Sequence, residues 1–141
     1  MGSSSEKREK LVNAYLERAE KALDASETLF DSDFYSECIS QAYYSAYYAA
    51  RACLLLEQVS PKTHSGTVAK FGELFVKTGR TEQRAGRVLN ELEEDRQKAD
   101  YQITIDVGRE EARDAIEDGE YFLDKACEIC GKELGEAAVR G

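Results

Sequence analysis

Proline is nearly absent from this 141-residue chain, with a single one at position 61, and tryptophan is missing altogether. One proline, few β-branched runs and no alternation of apolar with polar residues leave little from which to build a sheet. Basic residues are also in short supply. The 19 lysines and arginines face 28 carboxylates, a formal charge of −9, which excludes binding spread broadly over phosphate and leaves only a local contact. The longest uncharged run, Cys38 to Ala50, ends at Arg51 and is shorter than the roughly 18 apolar residues of a membrane span. Met1 to Ser5 is small and polar and lacks the apolar stretch of a secretory leader. The expectation is a cytoplasmic protein with no membrane partner. Histidine occurs once, at position 64, so a histidine-rich metal site is excluded and no metal or cofactor is expected.

What is present is helical periodicity in one domain, expected at residues 10–131 between a flexible segment at 1–9 and a fraying tail at 132–141. Helix one is predicted from about Glu6 to Phe30, with Asp31-Ser32-Asp33 breaking it and offering caps to the next. Helix two, about Phe34 to Gln58, carries one charged residue, Arg51, between Glu37 and Glu57. A helix apolar around most of its circumference is buried around most of it. Either neighbouring helices surround it or a second copy of the chain does, and a homodimer through helix two is the expectation. Helix three is predicted at about Ser65 to Lys77, closed by Thr78-Gly79. Helix four runs from a cap at Thr81 to about Asp100, and helix five from Asp106 past Cys130, after a short connection at 102–107. The fold class is all-α, an up-and-down bundle of four to five helices.

Cys127-Glu128-Ile129-Cys130 is a lone C-x-x-C with no second pair. Both cysteines fall on the apolar stripe of helix five, so they read as core thiols rather than as redox or metal ligands. The acidic cluster Glu91, Glu93, Glu94 and Asp95 reads as a solvated helix face.

Three residues break the apolar pattern. At about 100° per residue, Arg96 lies about 40° from Leu92 and on the side of Ala85, Leu89 and Ala99. An inward guanidinium either pairs with a carboxylate, Asp100 or Glu93, or faces a wet pocket. Arg51 poses the same choice in helix two. His64 precedes helix three, where a side chain can cap, hold a phosphate or serve as a base.

At Gln41-Ala42-Tyr43-Tyr44-Ser45-Ala46-Tyr47-Tyr48-Ala49-Ala50-Arg51-Ala52, Pro61-Lys62-Thr63-His64-Ser65-Gly66 and Arg96-Gln97-Lys98-Ala99-Asp100-Tyr101, the chain resembles the HEPN family of small prokaryotic helical proteins. The three segments stand in the order and spacing of the branch that reads A-Y-Y, K-T-H-S-G and R-x-x-A-D-Y. The resemblance implies a dimerising helical bundle. It also implies a partner, a minimal nucleotidyltransferase, in a two-component toxin–antitoxin system. In catalytic members of the family an arginine, followed after about four to six residues by a histidine, forms a metal-independent RNA-cleaving site across the dimer interface. Such an arginine stabilises charge on the phosphate while the imidazole takes the 2′-hydroxyl proton. Arg96 matches that arginine, but Tyr101 stands in the histidine position, and an ordinary phenol is a poor base at neutral pH. Arg96, Tyr101 and His64 are therefore the candidate catalytic residues, and Arg51, Arg96, Asp100 and Tyr101 the candidate ligand-binding ones. The reading is a homodimeric nucleotide- or RNA-binding module; the alternative is a ribonuclease in which His64 or Tyr101 replaces the missing base.

Overall fold

The computed structural model describes residues 3–101 and 106–134. The expected connection at 102–107 lies mostly, and the tail at 132–141 largely, outside the described residues. Five α-helices form a bundle: α1 (Ser3–Asp31), α2 (Tyr35–Leu56), α3 (His64–Phe71), α4 (Gln83–Tyr101) and α5 (Arg109–Leu134). No strand occurs among the described residues. The first helix thus starts before Glu6, and residues 3–9 are helical.

Helix α2 is the axis of the bundle. It packs most extensively on α1, then on α5 and α4, and also touches α3. Ala42, Ala46, Ala49, Ala50 and Ala52 are fully buried along it, and their short side chains let the neighbouring backbones come close. Gly119 of α5 is one place of close approach. A Cβ there would lie 3.3 Å from Leu23 Cδ1 and 3.4 Å from the Ala42 carbonyl. Neighbours within the chain therefore account for most of the apolar circumference of α2. What stays half-accessible is a strip containing Tyr44, Tyr47, Tyr48 and Arg51.

Phe71, Phe75 and Phe122 close the core beside α3, with ring centroids 5.0 and 5.4 Å apart. Beyond Phe71 the helix continues as a π-helical turn, Gly72–Val76, before Gly79 reverses the chain at a φ of 78°, a conformation that favours glycine. All four cysteines are buried and unbridged, and Cys127 and Cys130 belong to the core as the helix stripe implies.

Two helix starts differ from expectation. No side chain caps α2; Asp33 instead adopts a left-handed φ of 65°, and its carboxylate accepts a hydrogen bond from Tyr35 Oη at 2.9 Å. Helix α4 begins at Gln83 rather than directly after Thr81; the Thr81 N–H donates to the Phe75 carbonyl at 2.9 Å and so belongs to the preceding turn.

Candidate functional site

Helix α4 places Glu93, Arg96 and Asp100 on one side, three and four residues apart, facing α2 and the start of α3. Arg96 is buried, with 7% of its surface exposed. Its Nη2 donates to Glu93 Oε1 at 2.5 Å and its Nη1 to Asp100 Oδ2 at 3.2 Å. Ser40 of α2 holds the other Asp100 oxygen at 2.9 Å. The Arg96 guanidinium also lies 5.2 Å above the centre of the Tyr43 ring. Burial alone would release its proton more readily. The hydrogen bonds it donates to Glu93 and Asp100 outweigh burial and hold it above its ordinary range. Of the choices open for Arg96, the structure selects the ion pair, and with both carboxylates at once.

Glu93 is only 6% exposed. The expectation of a solvated acidic face is corrected at this position, while Glu91, Glu94 and Asp95 are exposed. Glu93 turns inward because it lies three residues before Arg96 and about 40° from Leu89. Its second oxygen, Oε2, has no hydrogen-bond partner and stands 3.9 Å from His64 Nδ1.

His64 opens α3, but Thr63 caps that helix, its Oγ1 accepting from the Gly66 N–H at 2.9 Å. The imidazole is thereby released from capping and leans on α2, 4.4 Å from the Tyr47 ring centre. Its Nδ1 shares a 2.5 Å hydrogen bond with Tyr43 Oη. Burial first, and then the negative charge of Glu93, push the Tyr43 phenol well above its ordinary range. The phenol keeps its proton, and Nε2 is the imidazole nitrogen that lies outside the bond to Tyr43. His64 and Arg96, far apart in sequence, are thus joined through Glu93 and Tyr43.

Arg51 sits elsewhere and is held differently. Nη1 donates to the Pro61 carbonyl at 2.6 Å and Nη2 to Ser60 Oγ at 3.0 Å. The guanidinium lies 5.7 and 5.8 Å from the ring centres of Tyr15 and Tyr47. It fastens the α2–α3 loop to α2 and so fixes where His64 begins, without pairing to a carboxylate. Tyr101 is 75% exposed and lines a shallow depression with Glu94, Gln97 and Lys98. It projects about 140° around α4 from Arg96, so the structure does not join it to the buried group.

Two members of the cluster, Tyr43 and Ser40, carry no signal as site residues in the sequence, whereas Glu93 and Asp100 are both expected there as possible partners of Arg96. With one cation and two carboxylates, Arg96, Glu93 and Asp100 carry a net negative charge and form a closed pair rather than an open anion cradle. Among the described residues no group of three or more histidine, cysteine, aspartate or glutamate side chains is arranged to hold a metal ion. No described helix is long and apolar enough to cross a membrane.

Comparison with known proteins places this arrangement in context. The HEPN domain family matches residues 12–130. Two proteins of Methanocaldococcus jannaschii, each named "Putative toxin", are similar. One is 41% identical over 78% of this chain and 75% of its own length; the other is 36% identical over 81% and 84%. A Thermotoga maritima relative named "UPF0332 protein" is 32% identical over 83% of this chain and 89% of its own.

Proposed function

Because the chain belongs to the HEPN family, we propose that it is a toxin-type member that binds RNA or a nucleotide without cutting it. In this reading it acts in the cytoplasm as a homodimer, together with a minimal nucleotidyltransferase. The names of its relatives support the toxin-type assignment. The observation that carries binding over cleavage is the state of Arg96. A guanidinium held by Glu93 and Asp100 at 2.5 and 3.2 Å has its charge neutralised, and it is poorly placed to stabilise new charge on a phosphate. The two copies meet at the start of α2, where Phe34 is 55% exposed, and the tyrosine strip faces the shared groove.

One observation favours the second reading, cleavage. His64 has Nδ1 tied to Tyr43, which fixes the ring and leaves Nε2 outside that bond. In that reaction the imidazole carries its proton on Nδ1, toward Tyr43 Oη, so that Nε2 takes the proton of a ribose 2′-hydroxyl while the 2′-oxygen bonds to phosphorus. The bond to the 5′-oxygen breaks, and the leaving oxygen takes a proton from water. Incubation of the protein, of Arg96→Ala and of His64→Ala with mixed RNA under chelation, from about pH 6 to 9, separates the two. Retention of intact RNA by a protein that sediments as a dimer is the expected result. Cleavage by the parent that disappears in His64→Ala would replace binding by catalysis.

A further inference from the structure

The half-accessible strip on α2 continues onto α1 and forms a ladder of rings. Tyr47 and Tyr48 lie 5.7 Å apart, Tyr44 and Tyr48 6.2 Å, and Tyr48 and Tyr15 of α1 6.3 Å. His64 closes one end against Tyr47. Two cations flank the ladder: Arg18 lies 5.4 Å over Tyr48, and Arg51 lies over Tyr15 and Tyr47. None of the partners of Arg51 is a carboxylate.

Charge is sorted around this face in a chain that is otherwise strongly acidic. At about 100° per residue, Arg8, Leu11 and Arg18 lie within about 60° of Tyr15 on α1. Glu6, Glu9, Glu17, Glu20, Asp24 and Glu27 all lie about 120° or more away. On α2 no carboxylate occurs between Glu37 and Glu57. From Tyr44 to Arg51 the strip runs about 10 Å, the height of about three stacked bases.

We propose that the Tyr15, Tyr44, Tyr47 and Tyr48 ladder, flanked by Arg18 and Arg51, is the surface on which single-stranded RNA lies, with its bases stacked on the tyrosine rings and its phosphates against the arginines. This rests on the RNA-binding reading above and moves the contact away from Arg96. Half-exposed aromatic rings bordered by cations suit unpaired bases, since every base offers a stacking face. Duplex RNA hides those faces. A second copy of the chain suits the strip less well. In a two-fold contact the same patch meets itself, and here arginine would be set against arginine.

The test is the fluorescence anisotropy of a labelled oligouridine of about 12 nucleotides, titrated with the full chain. The wild type is compared with Arg18→Gln, which alters one exposed side chain, and with Tyr44→Leu/Tyr48→Leu, whose helicity is checked by circular dichroism. The expected result is about 10-fold or greater weakening for the tyrosine pair. For Arg18→Gln the salt slope falls by about 0.7, and a duplex of the same length binds more weakly to the wild type. If the tyrosine variant fails to fold, the Arg18→Gln slope alone decides. Wild-type binding that both variants retain in full overturns the surface and leaves RNA binding standing. No binding by the wild type overturns RNA binding itself. Variants that lose self-association while RNA affinity stays unchanged give the strip to a second copy and overturn the proposal.

Discussion

Arg96 and Arg51 occupy neighbouring helices, each set by its position toward apolar surroundings, and they end in opposite electrostatic settings. Arg96 is shut between two carboxylates above a buried ring. Arg51 rests on a carbonyl, a hydroxyl and two half-open rings. The first charge is cancelled within the chain. The second is fixed in place by neutral oxygens and rings that do not cancel it. An inward-facing arginine is therefore not in itself a ligand site; the charge of its partners decides.

The largest effect that tests this contrast is on stability. Arg96→Ala leaves Glu93 buried without its cation and is expected to cost about 3 kcal/mol. Arg51→Ala, which breaks hydrogen bonds to neutral groups near the surface, is expected to cost about 1.5 kcal/mol. Urea denaturation of both variants measures the gap, and equal losses would erase the distinction. Tyr43→Phe sharpens it further. The change keeps the ring beneath Arg96 but removes the bond to His64, and the expected loss is about 1 kcal/mol in the same measurement.

A third setting supplies the smallest effect and the opposite sign. Asp118 on α5 is half-buried, and burial first, then Glu91 and other nearby carboxylates, raise its carboxyl from 3.8 to about 6. The folded state therefore holds this proton more tightly than the unfolded chain. The group's stabilising contribution is complete below about pH 4 and is lost as pH rises through 6. Asp118→Asn is expected to stabilise the protein at pH 7, by less than about 1 kcal/mol after solvent screening. That gain shrinks below pH 6 and vanishes near pH 4. Thermal unfolding at pH 7, 5 and 4 follows it.

Much of the fold is legible in the sequence because each of the five helices carries its own apolar stripe, and Asp31 to Asp33, Pro61 and Gly79 mark the breaks between them. The inward face of Arg96 is legible for the same reason, whereas Tyr101, grouped with Arg96 on the family pattern, stands about 140° around the helix from it. Glu93 is legible as a possible partner of Arg96 but not as a buried group, because three acidic neighbours make the segment look solvated, although its spacing from Leu89 and Arg96 points inward. The bond between Tyr43 and His64 has no local signal at all. It depends on how the α2–α3 loop is fastened by Arg51, and on Thr63 rather than His64 taking the cap. The homodimer expected from helix two began with its apolar circumference, most of which the neighbouring helices cover.

The buried cysteines carry a consequence for kinetics. Cys38 and Cys53 of α2 point their sulfurs at the Ala112 and Ala126 carbonyls of α5, at 3.9 and 3.8 Å. Burial pushes the Cys38 thiol up to about 11 and raises Cys53 as well. The thiolate is the reactive form, so neither sulfur meets an alkylating reagent at neutral pH while the two helices remain together. Each modification event records a separation of α2 from α5, at one end of the pair for Cys38 and toward the other for Cys53. The native chain thus contains two internal clocks for the breathing of its central helix.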